Sequence, residues 1–192
     1  MADLVLAVEP NLWPGCFEIL SFSADRGIAS KDLTGQTLTV TLAAPLLPED
    51  TITLKIGYWL DVPRAAWGNE EIIRNLIFGY TDKQLNLVDW YPFVVPYVPG
   101  EGWLLHKPGN YGEHLVYDTA DFNVTVQFVN RYHAPVVAAP AEGEWVDGEL
   151  RYHLENARTF AISFSPNFEI MRVTSSGIII QSCSVANMKK IW

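Results

Sequence analysis

Two histidines and two glutamates fall close together in a glycine-rich part of this 192-residue chain. His106 and His114 lie eight residues apart, with Glu101 and Glu113 beside them. Imidazole and carboxylate groups bind metal ions or move protons when they converge. Metal-ligand clusters usually have a tight, regular spacing, and none is present here. The sequence therefore favours loop histidines at an acidic surface over a metal site.

Other arrangements that carry out catalysis find little support. Asp89 could act with Glu101 or Glu113 as a glycosidase pair, but such pairs need a set separation of about 5 Å or more, which sequence does not give. No serine lies in a Gly-x-Ser-x-Gly turn. Cys16 and Cys183 have no neighbouring base and are expected to be free thiols. We expect no nucleophilic catalysis.

The zinc-binding pattern His-Glu-x-x-His is also missing. On a helix this spacing turns two imidazoles to one side, where they bind zinc beside a glutamate that acts as general base. None of the four histidines is followed by Glu-x-x-His. We therefore predict that this chain by itself is not an enzyme and holds no cofactor.

Charge and hydropathy exclude several classes of partner. The formal net charge is −9 and the pI is about 4.8, so the surface repels phosphate backbones and a nucleic-acid partner is not expected. The first residues lack the basic and apolar regions of a signal peptide. No stretch approaches the roughly 18 apolar residues of a membrane span. We expect a soluble protein, and its compartment stays open.

Alternation of apolar and polar residues predicts β-strands. It runs through residues 38–42, 52–60, 122–128, 150–154 and 160–164. Asp147-Gly148 predicts a type I′ hairpin turn. Residues 69–77 fit either two helical turns or the start of a strand. We predict an all-β fold, an antiparallel β-sandwich or saddle-like domain over residues 1–183, with a tail over 184–192.

An aromatic-rich loop is predicted between residues 90 and 111. Its rings belong to Trp90, Tyr91, Phe93, Tyr97, Trp103 and Tyr111. Loops of this length are usually functional or packed onto their domain. Three interpretations remain open: the rings fill the end of the sandwich, contact another domain, or form a platform on which sugars stack.

Four segments, in order, resemble the amino-terminal β-domain of M1-type zinc aminopeptidases. They are Val8-Glu-Pro-Asn11 with Trp13-Pro-Gly15, the stretch 44–58, Trp90-Tyr-Pro92, and Asp121-Phe-Asn-Val-Thr-Val126 with 138–139 and 158–165. The resemblance extends over residues 5–183. In that family the domain precedes a thermolysin-like catalytic domain, which binds the zinc. The family's Gly-x-Met-Glu-Asn strand is absent here, and the catalytic domain is expected after about residue 183.

The resemblance implies a non-catalytic domain that packs on the catalytic domain of a parent peptidase and walls its substrate cleft. Zinc is expected only in that catalytic domain. The residues expected to bind or form the interface are Trp90, Tyr91, Trp103, Glu101, Glu113 and Tyr111. The alternative is a free-standing module that binds carbohydrate or protein through the same loop.

An unpaired sheet edge is a further expectation. Family members usually have two or three strands before the Pro-Asn segment, whereas only residues 4–8 precede it here. Because an open edge pairs readily with another chain, we predict self-association, or an edge covered by the carboxy-terminal segment.

Overall fold

Regular structure in this protein is almost entirely β-strand. The computed structural model describes residues 1–65, 77–105 and 117–185. Its strands are β1 (Asp3–Ala7), β2 (Phe17–Ala24), β3 (Ile28–Thr34), β4 (Thr37–Leu42), β5 (Leu54–Leu60), β6 (Phe78–Tyr80), β7 (Leu85–Leu87), β8 (Phe93–Val94), β9 (Tyr97–Val98), β10 (Gly102–Trp103), β11 (Ala120–Val126), β12 (Val136–Ala138), β13 (Glu144–Val146), β14 (Glu149–Ala157), β15 (Ile162–Ser165), β16 (Phe168–Ser175) and β17 (Ile178–Val185). Short 3-10 turns span Glu9–Leu12 and Arg131–His133. The prediction of an all-β fold is confirmed.

The chain divides into two compact units. The first comprises Met1–Pro63 and Asp89–Asp118, and the second comprises Arg64–Val88 and Thr119–Trp192. This division neither confirms nor contradicts the predicted single domain over 1–183, because two compact units can belong to one domain. The sandwich arrangement also stays a prediction. β17 continues two residues beyond the predicted end of that domain. The ambiguous stretch 69–77 falls, but for its last residue, outside the described residues.

The described residues of the first unit form three antiparallel sheets. Their strand orders are β3-β4-β1-β8, β2-β5 and β9-β10. β1 is buried on both faces, which explains its unbroken apolar sequence. Leu4 and Leu6 join one cluster with Leu38 and Val40 of β4, while Val5 lies in a second cluster on the opposite face. The alternation predicted for β4 is confirmed by its burial pattern.

Three antiparallel sheets are also found in the part of the second unit that the structure describes. Their orders are β12-β15-β7-β6, β11-β14-β13 and the hairpin β16-β17. Its core includes Phe160, which is fully buried. The ring of Phe160 lies 5.7 Å from that of Tyr152 and 5.9 Å from that of Phe122. Tyr152 and Phe122 come from alternating segments, so the period-two pattern correctly identified the core face of β14 and β11.

The predicted type I′ turn is also confirmed. Val146 pairs with Glu149 across a two-residue connection. Its central residues, Asp147 and Gly148, have φ values of 53° and 84°, and a type I′ turn needs positive φ at both positions. Because this turn matches the twist of the strands, β13 and β14 pair directly.

Candidate functional site

The stretch that the sequence predicted as a loop lies in the first unit, and its described part is not wholly irregular, because it contains the short strands β8, β9 and β10. It brings aromatic residues together in pairs. Trp90 and Tyr91 follow Asp89, whose φ of 52° turns the chain. Their rings meet edge to face with centroids 5.3 Å apart, and both residues are half-buried. This arrangement fixes the two side chains relative to each other and leaves part of each at the surface.

Trp103 contacts both the apolar core and a second aromatic ring of this stretch. It pairs with Tyr97 across β9 and β10, and the two rings lie 5.1 Å apart. Trp103 also packs against both apolar clusters of this unit. The turn before it holds Glu101 at the surface between two glycines with φ values of 90° and 94°. Of the predicted interface residues, Glu113 and Tyr111 lie outside the described residues, as do His106 and His114.

A tyrosine that the sequence did not single out adjoins this loop. Tyr117 packs its ring 4.6 Å from that of Phe93. Burial raises the pKa of Tyr117 far above its usual range, and the hydrogen bond that its hydroxyl donates to the Asp89 carboxylate raises it further. The negative charges of Asp89, Glu9 and, once it is ionised, Tyr91 raise this pKa as well. The phenol is therefore a hydrogen-bond donor at neutral pH and does not act as a base.

Tyr58 of β5 extends this group. Its ring stacks on Phe17 at 5.2 Å, and burial, with a smaller effect of Tyr91, raises its pKa to about 12. We call Glu9, Tyr58, Asp89, Tyr91 and Tyr117 the tyrosine cluster. The alternation of β5 places Tyr58 on the core face. Tyr117, by contrast, is distant in sequence from Tyr91 and belongs to no periodic pattern. Its position beside Asp89 is therefore known only from the tertiary structure.

The second unit carries a separate groove with a volume of about 530 Å³. Residues that line it include Gln127, Phe128, Asn130, Tyr132, Asp147 and Glu149. The side chain of Asn130 accepts a hydrogen bond of 3.1 Å from the backbone N–H of Tyr132, whose residue is 82% exposed. Glu149 accepts hydrogen bonds from Gln127 at 2.6 Å and from Arg151 at 3.0 Å. The groove thus combines an open aromatic ring with amide and carboxylate groups.

Metal-binding geometry is absent from residues 1–65, 77–105 and 117–185. No group of three or more His, Cys, Asp or Glu side chains converges there. His153 instead hydrogen-bonds Asn123 at 2.8 Å and Glu155 at 3.1 Å. Both cysteines are free, as predicted. Burial, followed by the charge of Asp61, raises the pKa of the Cys16 thiol to about 11, so this thiol is a poor nucleophile.

Helices suited to crossing a membrane are also absent from the part of the chain that the structure describes.

Comparisons with known proteins reveal a distant structural likeness. No protein-family model and no curated protein matches this chain. Among solved structures, it is similar to a mutant M1 zinc metallopeptidase from Deinococcus radiodurans that was crystallised with a Tyr-Ser-Ala substrate. The sequence identity is 15% and the TM-score is 0.49. The match covers 94% of this chain and 39% of that one.

Proposed function

We propose that this chain is a non-catalytic β-domain related to the amino-terminal domain of M1-type zinc aminopeptidases. Its role is to pack against a catalytic domain and wall one side of the substrate cleft. The observation that carries this proposal is the placement of the four resembling segments. The first directly follows β1 and includes the 3-10 turn Glu9–Leu12, the second runs into β5, the third precedes β8, and the fourth includes most of β11 and reaches β12 and β15.

The surface chemistry supports a packing role. Trp90 and Tyr91 are half-buried and fixed against each other, so they lose little side-chain freedom when they meet a partner. Aromatic rings with a polar tip are frequent at the centre of protein interfaces. Glu101 is exposed and belongs to the rim of such a contact. Trp103 contributes to the core, so its replacement tests stability as well as binding.

The first test examines the DNA that continues the open reading frame of this chain and then measures binding of the encoded product. The proposal expects an in-frame continuation with His-Glu-x-x-His, whose product binds this chain in trans. Double replacement Trp90→Ala, Tyr91→Ala should weaken that binding by roughly tenfold or more. Trp59→Ala is the matched control, because Trp59 is 62% exposed on β5 and should leave the affinity unchanged. Equal affinities for both variants and the parent chain would contradict the proposed surface.

The second test measures catalysis directly. The pure chain, loaded with zinc, should release no nitroaniline from leucine p-nitroanilide. Turnover that is removed by a chelator and restored by zinc would overturn the non-catalytic assignment.

A carbohydrate-binding module is the second candidate function, and the groove of the second unit favours it. Sugars are commonly bound by an aromatic ring for stacking together with amide and carboxylate groups for the hydroxyls. The groove presents Tyr132 beside Asn130 and Asp147. Its volume of about 530 Å³ falls within the usual range for small-molecule sites.

Calorimetric titration with cellohexaose and chitohexaose tests this candidate. Binding that Tyr132→Ala abolishes, and that Tyr80→Ala preserves, would support a saccharide site. Tyr80 is the matched control because it is 43% exposed in the same unit and does not line the groove. Absence of heat with both sugars would count against the candidate.

A further inference from the structure

The hairpin β16–β17 has one edge without the usual protection against pairing. Its strands pair in eight successive rungs from Phe168–Val185 to Ser175–Ile178. Within the described residues, β17 has no strand partner other than β16. We propose that the free edge of β17 pairs antiparallel with β17 of a second copy of this chain, which joins two hairpins into one four-stranded sheet.

The first argument is the absence of charge on this strand. Proteins protect edge strands with charged residues, proline or bulges. Among described strands of five residues or more, only β4 and β17 lack Asp, Glu, Lys and Arg, and β4 is paired on both sides by β3 and β1. β17 also contains no proline, and its register shows no bulge. By contrast, β16 carries Glu169 and Arg172.

The second argument is the exposure of apolar side chains on both faces. Ile178, Ile179 and Ile180 are 65%, 64% and 57% exposed. Because successive residues of a strand point to opposite faces, these side chains leave apolar surface on each side of the hairpin. A helix or loop laid on the hairpin covers one face only. A strand added at the edge of β17 extends the sheet, and its alternating side chains then lie next to the isoleucines on both faces of the hairpin.

A side-chain contact of β16 links the hairpin to another part of the same unit. Arg172 donates hydrogen bonds to Glu142 at 2.9 Å and to Gln181 at 2.8 Å. The ion pair is largely exposed, so it contributes little stability. Two-stranded hairpins are marginally stable by themselves, whereas sheets of three or more strands with an apolar face are stable. The hairpin therefore gains from an added strand.

A second copy fits this edge because it supplies the same features. An identical strand offers the same unpaired backbone groups and the same isoleucines, and two-fold symmetry makes the contact self-complementary. Each chain carries a net charge of −9, which opposes association at long range. At the contact itself, however, β17 brings no charged side chain against its symmetry mate. This edge is thus a place where two acidic molecules meet without direct charge repulsion.

Sedimentation equilibrium across micromolar to sub-millimolar concentrations tests the proposal. The parent chain should form a dimer, and Ile180→Lys should weaken the dimer by roughly tenfold or more because it places a charged side chain on the paired edge. Leu47→Lys is the control, since Leu47 is 69% exposed in the first unit and should leave the dimer intact. Circular dichroism and thermal melting confirm that each variant is folded. A monomeric parent chain, or a dimer equally tight in Ile180→Lys, would overturn the proposal.

Hydrogen exchange provides an independent measurement. Alternate amides of an edge strand point away from its partner, so those of β17 should gain protection as concentration rises. Amides of β4, which is paired on both sides, should show no such change. If the β17 amides are protected equally at all concentrations, and lose that protection when residues 186–192 are removed, the chain covers its own edge and the dimer is refuted. Neither result depends on the proposed peptidase-related function.

Discussion

Ser165 shows how one buried hydroxyl links segments of the second unit. It is fully buried in β15. Its hydroxyl donates a hydrogen bond of 2.6 Å to the carbonyl of Lys83 and accepts one of 3.0 Å from the amide of Asn167. Because Ser165 is fully buried, its hydroxyl needs such partners, and here it links β15 to the carbonyl of Lys83 and to the amide that follows the strand.

Replacement of Ser165 by alanine should therefore destabilise the protein. We expect the free energy of unfolding to fall by about 1–3 kcal/mol, because two backbone groups lose their hydrogen-bond partner. Urea denaturation measures this change. Ser175→Ala is the control, because Ser175 is an exposed serine of the same unit, and it should change stability by less than about 0.5 kcal/mol. Equal effects of the two substitutions would contradict the assigned role.

Tyr152 makes stability depend on alkaline pH. Burial raises its pKa from 10.0 to about 12. Between these values the unfolded chain has released the proton that the folded chain still holds, so stability is fully present below pH 10 and falls as pH rises toward 12. Tyr152→Phe should remove roughly 2–3 kcal/mol of this loss, at some cost in stability at neutral pH.

Urea denaturation at a series of pH values checks the effect of Tyr152. Tyr132→Phe is the control, because it removes a hydroxyl from a residue that is 82% exposed. A parent chain and a Tyr152→Phe variant with the same pH dependence above pH 10 would disprove the effect. Tyr58 and Tyr117 also have raised pKa values and should add to the alkaline loss in the parent chain.

The turn between β13 and β14 shows how the conformation of a single glycine stabilises a hairpin. Gly148 has a φ of 84°, which costs an L side chain conformational strain. Gly148→Ala should lower the free energy of unfolding by about 1 kcal/mol or more, as measured by thermal or urea denaturation. Asp147→Asn should be close to neutral, because asparagine tolerates the φ of 53° at that position. A neutral Gly148→Ala would mean that the turn relaxes to another type.

β1 shows what an element's sequence does not reveal. Its apolar run Leu4-Val-Leu-Ala-Val8 is typical of a strand buried on both faces, but it fits a short buried helix equally well. The pairing of β1 with β4 on one side and β8 on the other decides the matter. β8 contributes only two residues, which are too few for any periodic pattern.

Net charge is the property that governs association of the whole molecule. Since each copy carries a charge of −9, repulsion between copies weakens as salt screens it. The proposed dimer should therefore become several-fold tighter between low ionic strength and physiological salt, as measured by sedimentation equilibrium. Dimerisation that weakened with salt would indicate a contact built on ion pairs, contrary to the uncharged β17 edge.

The same charge leads to a prediction about nucleic acids. Single-stranded DNA should not bind at low salt, where attraction to basic proteins is strongest. Fluorescence anisotropy of a labelled oligothymidine measures this. A saturable rise in anisotropy that disappears with added salt would reveal a basic surface that the overall composition hides.

Local patterns in the sequence predicted some of the strands and one hairpin turn, but they missed strands such as β2, β3 and β16. Period two located β4, β5, β11 and β14, and Asp147-Gly148 located a turn, because alternation and positive φ are properties of neighbouring residues. The aromatic pair Trp90–Tyr91 was visible for the same reason. Its role at an interface remains a prediction.

Contacts between distant parts of the chain were determined only by the tertiary structure. Tyr117 donates a hydrogen bond to Asp89, and residues of β14 line the same groove as the segment after β11. No local sequence pattern predicts either contact. The sequence by itself determined that this chain forms strands with an apolar face and carries a strong negative charge. The fold decided which edges are paired, because pairing joins backbone groups that lie far apart along the chain, and so it decided that β17 presents an uncharged edge among the described strands.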